Sequence, residues 1–305
     1  MSADLLLHSL SNFSEILFRI LEISDCSKIV EVGSEYGTFS AKLCEYARSR
    51  KGMLVTIEPC PKNAALDFIN ANRNTPWFQL IQGNSIPALG TIKDVDAYII
   101  DGDHNYYTVY HELELLYQVQ REQGHKILVM EHDVSWPWAY RDLYYNPSTI
   151  PAEFLQPHDL QRGVTRSNNA LIEGGFRSHG QYGIASQEGG PRNGVRLAIE
   201  DFIKLHAELR LKTIPAIFGL GIVYDADAPW AQSLEAFLSP YSNNPLIEKL
   251  EQNRLDLYLK VLELQDQISL LMAPPKIPEC LVEPPKKLRP VLDEAAMAAL
   301  DARFS

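Results

Sequence analysis

The sequence lacks the features that mark secreted and membrane proteins. Its four cysteines form no C-x-x-C pair, so a reducing compartment fits better than a disulfide framework. No stretch approaches the roughly 20 uninterrupted apolar residues of a membrane helix, and no basic segment precedes an N-terminal apolar run. We therefore expect a cytoplasmic protein that does not bind membranes.

Positive charge is also scarce, since 28 basic residues stand against 39 acidic ones and the formal net charge is -11. Nucleic acids and anionic membranes select basic surfaces, so we predict no nucleic-acid partner. The apolar fraction of 46% is ordinary for a globular protein, and 305 residues suffice for one large core.

From residue 28 onward, short β-rich runs alternate with helical ones. The predicted strands cover residues 29–32, 53–57, 78–81, 95–100 and 126–130, and the predicted helices cover 38–48, 63–72 and 106–123. This order is typical of a doubly wound α/β sheet, which binds ligands at the carboxyl ends of its parallel strands. Two more apolar runs, at 211–217 and 219–224, have the spacing of an antiparallel hairpin and complete a predicted seven-stranded, mostly parallel sheet.

We divide the chain into three predicted parts. Residues 1–24 form an N-terminal helix, residues 25–225 the sheet domain, and residues 226–305 a C-terminal helical extension with a Pro-rich tail. Within the sheet domain, residues 134–194 are rich in Pro, Gly, Asn and Ser and show no clear periodicity. A loop of this length inside a compact domain is usually functional, so we interpret it as a substrate-covering insertion after strand 5, followed by a helix at 195–209.

The C-terminal extension contains a predicted helix at 245–272. Its apolar seam alternates spacings of four and three residues and consists of Leu257, Val261, Leu264, Ile268 and Leu271. The seam predicts either a homodimer through this helix or packing on its own domain, and the pattern fits both equally. Beyond it we expect an extended segment at 273–290 and a short helix at 292–303.

A glycine turn follows the first predicted strand and opens the first helix. Its sequence is Glu31-Val-Gly-Ser-Glu-Tyr-Gly37, and residues without a Cβ let backbone N–H groups approach a bound ligand. The spacing lacks the close glycine pair of the dinucleotide fingerprint. Glu31 would repel a pyrophosphate but tolerates the cationic methionine moiety of S-adenosylmethionine. We assign cofactor contacts to Glu31, Gly33, Tyr36 and Gly37.

Polar residues follow the next three strands at the same edge of the sheet. Glu58 ends the second strand, where a carboxylate can accept both ribose hydroxyls of an adenosyl group. The residues that we place around the cofactor after strands three and four are Gly83, Asn84, Ser85, Asp101, Gly102 and Asp103. All of them are also ordinary turn residues, but the agreement of four strand ends favours S-adenosylmethionine as the cofactor.

Acids and histidines cluster after strands four and five. Asp101, His132 and Asp133 together suit Mg²⁺ or another divalent metal, because carboxylates with an imidazole bind hard or borderline cations. Such a metal would bind two substrate oxygens and lower the pKa of a hydroxyl that attacks the sulfonium methyl. Alternatively, His104 or His132 is the general base, or either one is a structural histidine. We predict catalytic roles for His104, His132 and Asp133.

Together these segments resemble the class I S-adenosylmethionine-dependent methyltransferases of the small-molecule type, which include macrolide-sugar O-methyltransferases and cephalosporin-hydroxylase-like proteins. The segments that carry the resemblance are residues 31–37, Glu58-Pro, Gly83-Asn-Ser, residues 100–106 and His132-Asp-Val. The resemblance covers roughly residues 25–225. It implies a Rossmann-like methyltransferase fold and transfer of a methyl group to a hydroxyl of a small molecule such as a sugar or another natural product.

Catechol-type O-methyltransferases are more distant. Their metal acids look like Asp101 and the pair His132-Asp133, but this chain has His132 where that pattern has Asp, and Asp133 where it has Asn. Aromatic residues follow, and they either line a substrate pocket or pack under the insertion: Trp136, Trp138, Tyr140, Tyr144 and Tyr145.

Two other functions fit the same sheet. A nicotinamide-dependent oxidoreductase is supported by the glycine turn and Glu58 but opposed by the missing glycine pair. A non-catalytic S-adenosylmethionine-binding scaffold would use its C-terminal helix to recruit a partner.

Overall fold

The fold contains twelve strands and eight α-helices within residues 6–272, the part of the chain that this computed structural model describes. In chain order the strands are β1 (Lys28–Val32), β2 (Met53–Ile57), β3 (Phe78–Ile81), β4 (Ala97–Ile100), β5 (Leu128–His132), β6 (Leu143–Tyr144), β7 (His158–Asp159), β8 (Gly163–Thr165), β9 (Asn168–Ile172), β10 (Gly183–Ala185), β11 (Leu209–Ile214) and β12 (Leu220–Asp225). The helices are α1 (Ser14–Ile23), α2 (Thr38–Ser49), α3 (Asn63–Asn72), α4 (Ser85–Leu89), α5 (Tyr106–Glu122), α6 (Val195–Lys204), α7 (Ala231–Leu238) and α8 (Pro245–Met272). The segments predicted at 273–290 and 292–303 lie outside the described residues.

Seven strands form the central sheet, in the order β11, β12, β5, β4, β1, β2 and β3. Neighbouring strands of this sheet pair in parallel, except that β12 runs antiparallel to both β5 and β11. The predicted doubly wound, mostly parallel sheet of seven strands is therefore confirmed. The chain winds outward from β1 in both directions, so the strand order reverses between β1 and β4. The carboxyl ends of these two strands border the crevice in which such sheets bind ligands.

Helices cover both faces of the sheet, so successive residues of a strand enter different cores. Val30 and Ile100 belong to the core that contains residues of α5 and α6. Ile29 and Ile99 belong to the opposite core, with residues of α1, α2 and α7. Because both faces are buried, the strands are apolar almost throughout. A fully buried charged residue inside such a strand, such as Glu31, therefore needs a physical explanation.

The second half departs from the predicted element limits. The helix predicted at 195–209 ends at Lys204, and β11 begins at Leu209. Leu205 and Leu209 have helical spacing, but Leu205 is exposed and Leu209 is buried in the core, so spacing alone extends the helix too far. The fifth strand begins and ends later than predicted, and its last residue is His132. The short helices α4 and α7 were not predicted.

The insertion at 134–194 contains small sheets. Strands β6, β10 and β7 form one antiparallel sheet, and β8 pairs with β9 in another. These strands are between two and five residues long, which is too short to show a hydrophobic period. The buried guanidinium of Arg141 holds them together, because it donates to the carbonyl oxygens of Ala185 and Asn169.

Asp142 ties the insertion to two helices that border the ligand-binding edge. Its Oδ1 accepts hydrogen bonds from the backbone N of Tyr106, which begins α5, at 2.8 Å, and of Gly194, which precedes α6, at 2.6 Å. The hydroxyl of Tyr144 donates to Oδ2 at 2.7 Å. Burial outweighs these hydrogen bonds and raises the pKa of Asp142 to about 6.

We expect the contribution of Asp142 to stability to depend on pH. The pKa of this carboxyl rises on folding, so its protonated form stabilises the folded state. The stabilisation is complete below the unfolded pKa of 3.8 and is lost as the pH rises through about 6. Asp142→Asn keeps an oxygen acceptor but does not ionise. Relative to this variant, the free energy of unfolding of the wild type should fall by about 2 kcal/mol between about pH 4 and pH 7. Urea unfolding at successive pH values measures the difference, and a difference independent of pH would contradict the expectation.

Helix α8 presents its predicted seam to solvent. The exposed seam residues are Leu257, Leu264, Ile268 and Leu271. The buried residues of the helix are Glu251 and Leu255, which lie on another face. The fifth seam residue, Val261, is half-buried. Dimerisation through residues 245–272 and packing of the seam on its own domain both stay predictions.

The chain divides into two compact units between Leu264 and Gln265. The three predicted parts, with limits at residues 24 and 225, stay predictions. Within residues 6–272, no helix combines the length and the apolar composition that crossing a membrane requires.

Candidate functional site

The glycine turn between β1 and α2 packs directly against the end of β4. Gly33 has a left-handed φ of +82°, and a Cβ built on it would lie 2.1 Å from the carbonyl oxygen of Asp101. Only glycine fits this position, because the close approach and the backbone conformation both exclude a side chain. Gly37 follows as the N-cap of α2. The predicted cofactor turn therefore touches the loop that carries the first predicted metal ligand.

Glu58 lies beneath the glycine turn at the end of β2. Its Oε2 accepts hydrogen bonds from the backbone N of Ser34 at 3.0 Å and of Glu35 at 3.1 Å, and its Oε1 accepts from the N of Cys60 at 2.9 Å. The carboxylate thus holds the turn in place. Each of its oxygens can accept further hydrogen bonds, so its predicted contact with ribose hydroxyls is compatible with this role and stays a prediction.

Glu31 is a buried acid inside β1, with 2% of its surface exposed. The hydroxyl of Thr56 donates to its Oε2 at 2.9 Å. Burial raises the pKa of Glu31 to about 7, against the opposing effect of hydrogen bonds from Ser40 and Thr56. A carboxylate kept in the interior against this penalty is compatible with the predicted tolerance for a cationic ligand, and its contact with the cofactor stays a prediction.

The remaining cofactor residues of the prediction lie at the same edge. Tyr36 is exposed beside the glycine turn. Asn84 and Ser85 begin α4 after β3, and Gly83 has open space around it. Their contacts with a cofactor stay predictions.

Asp101, His132 and Asp133 form a compact group at the ends of β4 and β5. Each residue offers one ligand atom, and these atoms all lie within 4.8 Å of one another. His132 Nδ1 is 3.1 Å from Asp101 Oδ1 and 3.8 Å from Asp133 Oδ2. The structure therefore brings together the three residues that the sequence predicted as metal ligands.

The backbone determines which nitrogen of His132 is free to bind. Its Nε2 lies 3.0 Å from the carbonyl oxygen of Ile217, which can only accept, so Nε2 carries hydrogen. Nδ1 is thereby directed at the two carboxylates. Burial lowers the pKa of His132, but Asp133 and Asp101 outweigh it and raise the pKa to about 9. Without a cation, His132 is protonated at neutral pH and cannot act as a base.

One carboxylate oxygen of Asp133 is buried without a hydrogen-bond partner among the described residues. This oxygen is Oδ1, and the residue is 6% exposed and has a left-handed φ of +61°. Burial raises the pKa of this carboxyl in spite of the neighbouring histidines. A buried oxygen without a partner is costly unless a cation or water satisfies it. Two carboxylates and an imidazole with its other nitrogen bonded to a carbonyl therefore fit a divalent cation.

The loop between β4 and α5 supplies His104. Its Nε2 lies 3.2 Å from Asp133 Oδ2, so this histidine joins the group from the other side. Asp103 accepts from the hydroxyl of Thr108 and from the backbone N of His104, both at 3.1 Å, and thereby holds the first turn of α5. Gly102 packs against Val32, where a Cβ would lie 2.9 Å from Cγ1. Contacts of Asp103 and Gly102 with the cofactor stay predictions.

The aromatic residues of the insertion divide between the core and the cleft. Trp138 and Tyr144 are buried, and Tyr140 donates to Glu200. Tyr145 is 57% exposed, and its ring centroid is 6.0 Å from those of both His104 and Tyr182. Burial, with the charges of Asp101 and Asp133, raises the pKa of Tyr145.

Three residues of the site were not found from the sequence. Ile217 acts through its carbonyl group, which no side-chain pattern reveals. Phe13 packs the edge of its ring against His132, with centroids 5.9 Å apart, but its position in a helical apolar stripe indicates only a core residue. Tyr182 follows a glycine-rich stretch without periodicity. Each of them reaches the site from a distant part of the chain.

The sheet, the glycine turn and the acids at the strand ends together define an α/β domain with a polar edge at the carboxyl ends of its parallel strands. Residues 30–134 match the family described as a methyltransferase domain. This segment contains all the predicted site residues, from Glu31 to Asp133. The match confirms, for these residues, the resemblance to class I S-adenosylmethionine-dependent methyltransferases.

Distant likenesses extend further along the chain. The ribosomal RNA small subunit methyltransferase A of Hydrogenobaculum sp. (strain Y04AAS1) is 21% identical over 159 residues, which cover 48% of this chain and 60% of that protein. The O-methyltransferase TomG of Streptomyces achromogenes, solved with S-adenosylmethionine, has a TM-score of 0.43 at 13% identity over 72% of this chain and 82% of its own. An O-methyltransferase of Bacillus cereus, solved with S-adenosylhomocysteine, has a TM-score of 0.44 at 14% identity over 73% and 86%.

Proposed function

We propose that this protein transfers the methyl group of S-adenosylmethionine to a hydroxyl of a small molecule, with the help of a divalent cation such as Mg²⁺. The contact between Gly33 and the carbonyl of Asp101 carries the proposal, because it joins the turn that would bind the methyl donor to the residues that would hold the cation. Asp101, His132 and Asp133 would be the ligands. When bound, the cation supplies a Lewis acid that favours ionisation of the acceptor hydroxyl.

The side chains of this chain would perform the remaining steps. Glu58 holds the glycine turn, and Glu31 balances the positive charge of the sulfonium. Asp133 Oδ2 accepts from His104 Nε2, which leaves a lone pair on Nδ1 of that histidine to receive the hydroxyl proton. As the oxygen–methyl bond forms, the sulfonium–methyl bond breaks and S-adenosylhomocysteine leaves. The insertion would limit the access of water, and the site would hold the two reactants in line.

An uncharged acceptor with a ring fits this cleft. Tyr145 lies beside His104, and Tyr182 lies next to Tyr145. Aromatic rings with hydroxyl groups bind sugars and planar rings. Asp101, Asp103 and Asp133 would repel a phosphate or carboxylate on the acceptor. RNA, the substrate in the name of the Hydrogenobaculum relative, is disfavoured in the same way by the net charge of -11.

The test is transfer of a labelled methyl group to a panel of hydroxylated sugars and phenols. We expect transfer to fall about 100-fold after treatment with a chelator and to return on addition of Mg²⁺, because the cation contributes several kcal/mol to the transition state. Calorimetric binding of S-adenosylhomocysteine in chelator is the control and should be unchanged.

Each other outcome supports a different function. Full activity in chelator would contradict the cation and leave His104 as a base without a metal. Binding of S-adenosylhomocysteine without transfer to any acceptor would favour the scaffold. Binding of a nicotinamide dinucleotide in its place would favour the oxidoreductase.

A further inference from the structure

The corner between β11 and β12 has a backbone conformation that its sequence does not favour. Ile217, Phe218 and Gly219 have φ values of +52°, +62° and +91°. Left-handed backbone is uncommon outside glycine and is an outlier for a β-branched residue such as isoleucine. Such a corner persists only where surrounding contacts hold it, and such corners concentrate at functional sites.

The carbonyl group of this corner orients a predicted cation ligand. His132 Nε2 donates to the oxygen of Ile217 at 3.0 Å, which directs Nδ1 to the carboxylates of Asp101 and Asp133. A backbone carbonyl on the distal nitrogen is the usual means of fixing the ring of a metal-binding histidine. The position of the corner therefore determines the direction in which Nδ1 of His132 points.

Helix α8 holds the corner from outside the sheet. The backbone N of Phe218, the residue after Ile217, donates to Oε1 of Glu251 at 3.1 Å. On the opposite side, the N of Ser135 donates to the carbonyl oxygen of Phe218 at 2.7 Å. Phe218 is thus fixed through both of its backbone polar groups.

Arg254 fixes Glu251 in turn. Its guanidinium donates to both oxygens of this carboxylate, at 2.7 Å from Nε and at 2.6 Å from Nη2. The same guanidinium lies 5.2 Å above the ring of Phe218 and donates to the carbonyl oxygen of Leu7 at 2.9 Å. A buried carboxylate with two charged hydrogen bonds has little freedom to move.

We propose that Glu251 is a positioning residue for His132, acting through the corner formed by residues 217–219. Without the acceptor on Glu251, the N–H of Phe218 is left unpaired, the corner relaxes towards an ordinary backbone, and the carbonyl of Ile217 withdraws from Nε2. The inference rests on the proposed function, because it requires that Asp101, His132 and Asp133 bind a cation. It gives α8 a role in the site without any contact between this helix and the reactants.

Titration of the full chain with Mn²⁺, followed by electron paramagnetic resonance, tests the proposal. Glu251→Ala should weaken Mn²⁺ binding about 10- to 100-fold, which is the usual effect of losing a residue that orients a metal ligand. Glu251→Gln keeps an oxygen for the N–H of Phe218 and should bind Mn²⁺ within about threefold of the wild type. Glu251→Asp withdraws the carboxylate by one methylene and should give a loss between these two, which provides a second measurement if the alanine variant does not fold.

Two controls separate positioning from general loosening of the helix. Leu255→Val trims a buried side chain of α8 close to Glu251, and Glu248→Ala removes an exposed acid of the same helix. Both should retain the Mn²⁺ affinity of the wild type, and all variants should bind S-adenosylhomocysteine equally.

The outcomes distinguish the two proposals. Unchanged Mn²⁺ affinity in Glu251→Ala and Glu251→Asp, or an equal loss in Leu255→Val, overturns the positioning role and leaves the proposed function intact. A wild type that binds no Mn²⁺ overturns the cation and the positioning role together.

Discussion

Replacing Asp133 by asparagine should lower kcat/KM for methyl transfer about 100- to 1000-fold. The variant keeps the shape of the side chain, and asparagine tolerates the left-handed backbone at this position. The negative charge is lost, and an NH₂ group takes the place of one oxygen beside His132 and His104. The transition state then loses both the cation ligand and the partner of the proposed base, and each such loss is worth several kcal/mol.

The measurement is steady-state kinetics with a labelled methyl donor. The Kd for S-adenosylhomocysteine should stay within about twofold of the wild-type value, because Asp133 lies beyond the glycine turn and is proposed to act on the methyl acceptor. Asp227→Asn, which removes an exposed partner of Lys126, is the matched control and should have full activity. A kcat/KM for Asp133→Asn within threefold of this control would refute the role of Asp133.

Replacing Gly33 by alanine should lower the free energy of unfolding by about 2–5 kcal/mol and abolish measurable cofactor binding. The added Cβ would be 2.1 Å from the carbonyl oxygen of Asp101, so either the glycine turn or the end of β4 must move. Movement of the turn displaces the backbone N–H groups that Glu58 holds, and these are the groups proposed to face the methyl donor. Urea unfolding and calorimetry with S-adenosylhomocysteine measure the two effects.

Gly189→Ala is the control for this prediction. Gly189 has the same φ of +82°, but nothing lies within 4 Å of a Cβ built on it. Its substitution should therefore lower the free energy of unfolding only by the conformational penalty of alanine at a positive φ, about 1 kcal/mol. Equal destabilisation by the two variants would mean that contact with Asp101 contributes nothing at Gly33.

The two subsites depend on each other through one loop. Asp101 supplies its side chain to the cation-ligand group and its carbonyl oxygen to the contact with Gly33. A shift of this loop therefore changes both the proposed site of the methyl donor and the proposed site of the methyl acceptor. This arrangement fits a reaction in which two bound molecules must approach along one line.

The amino-acid sequence by itself determined the sheet and the content of its ligand-binding edge. Short apolar runs alternating with helical stripes dictated β1 to β5, because each strand is buried on both faces and each helix on one. The carboxyl ends of parallel strands must meet at one edge, so the sequence alone predicts that Glu31, Glu58, Asp101 and the pair His132-Asp133 lie together. Gly33 was predictable as well, since a close turn leaves no room for a Cβ.

Only the tertiary structure decided how the side chains at this edge are oriented. The tautomer of His132 depends on the carbonyl of Ile217, and the position of that carbonyl depends on Glu251 in α8. Both contacts join residues far apart in the chain through backbone atoms, which carry no residue-specific pattern. Likewise, Tyr144 and Tyr145 are adjacent and chemically identical, yet Tyr144 is in the core and Tyr145 is exposed beside His104. Strand β6 ends at Tyr144, so no strand period in the sequence indicates which of the two side chains is buried, and packing with the rest of the fold decides it. The sequence thus identified the candidate site residues, and the tertiary structure determined how their side chains are oriented.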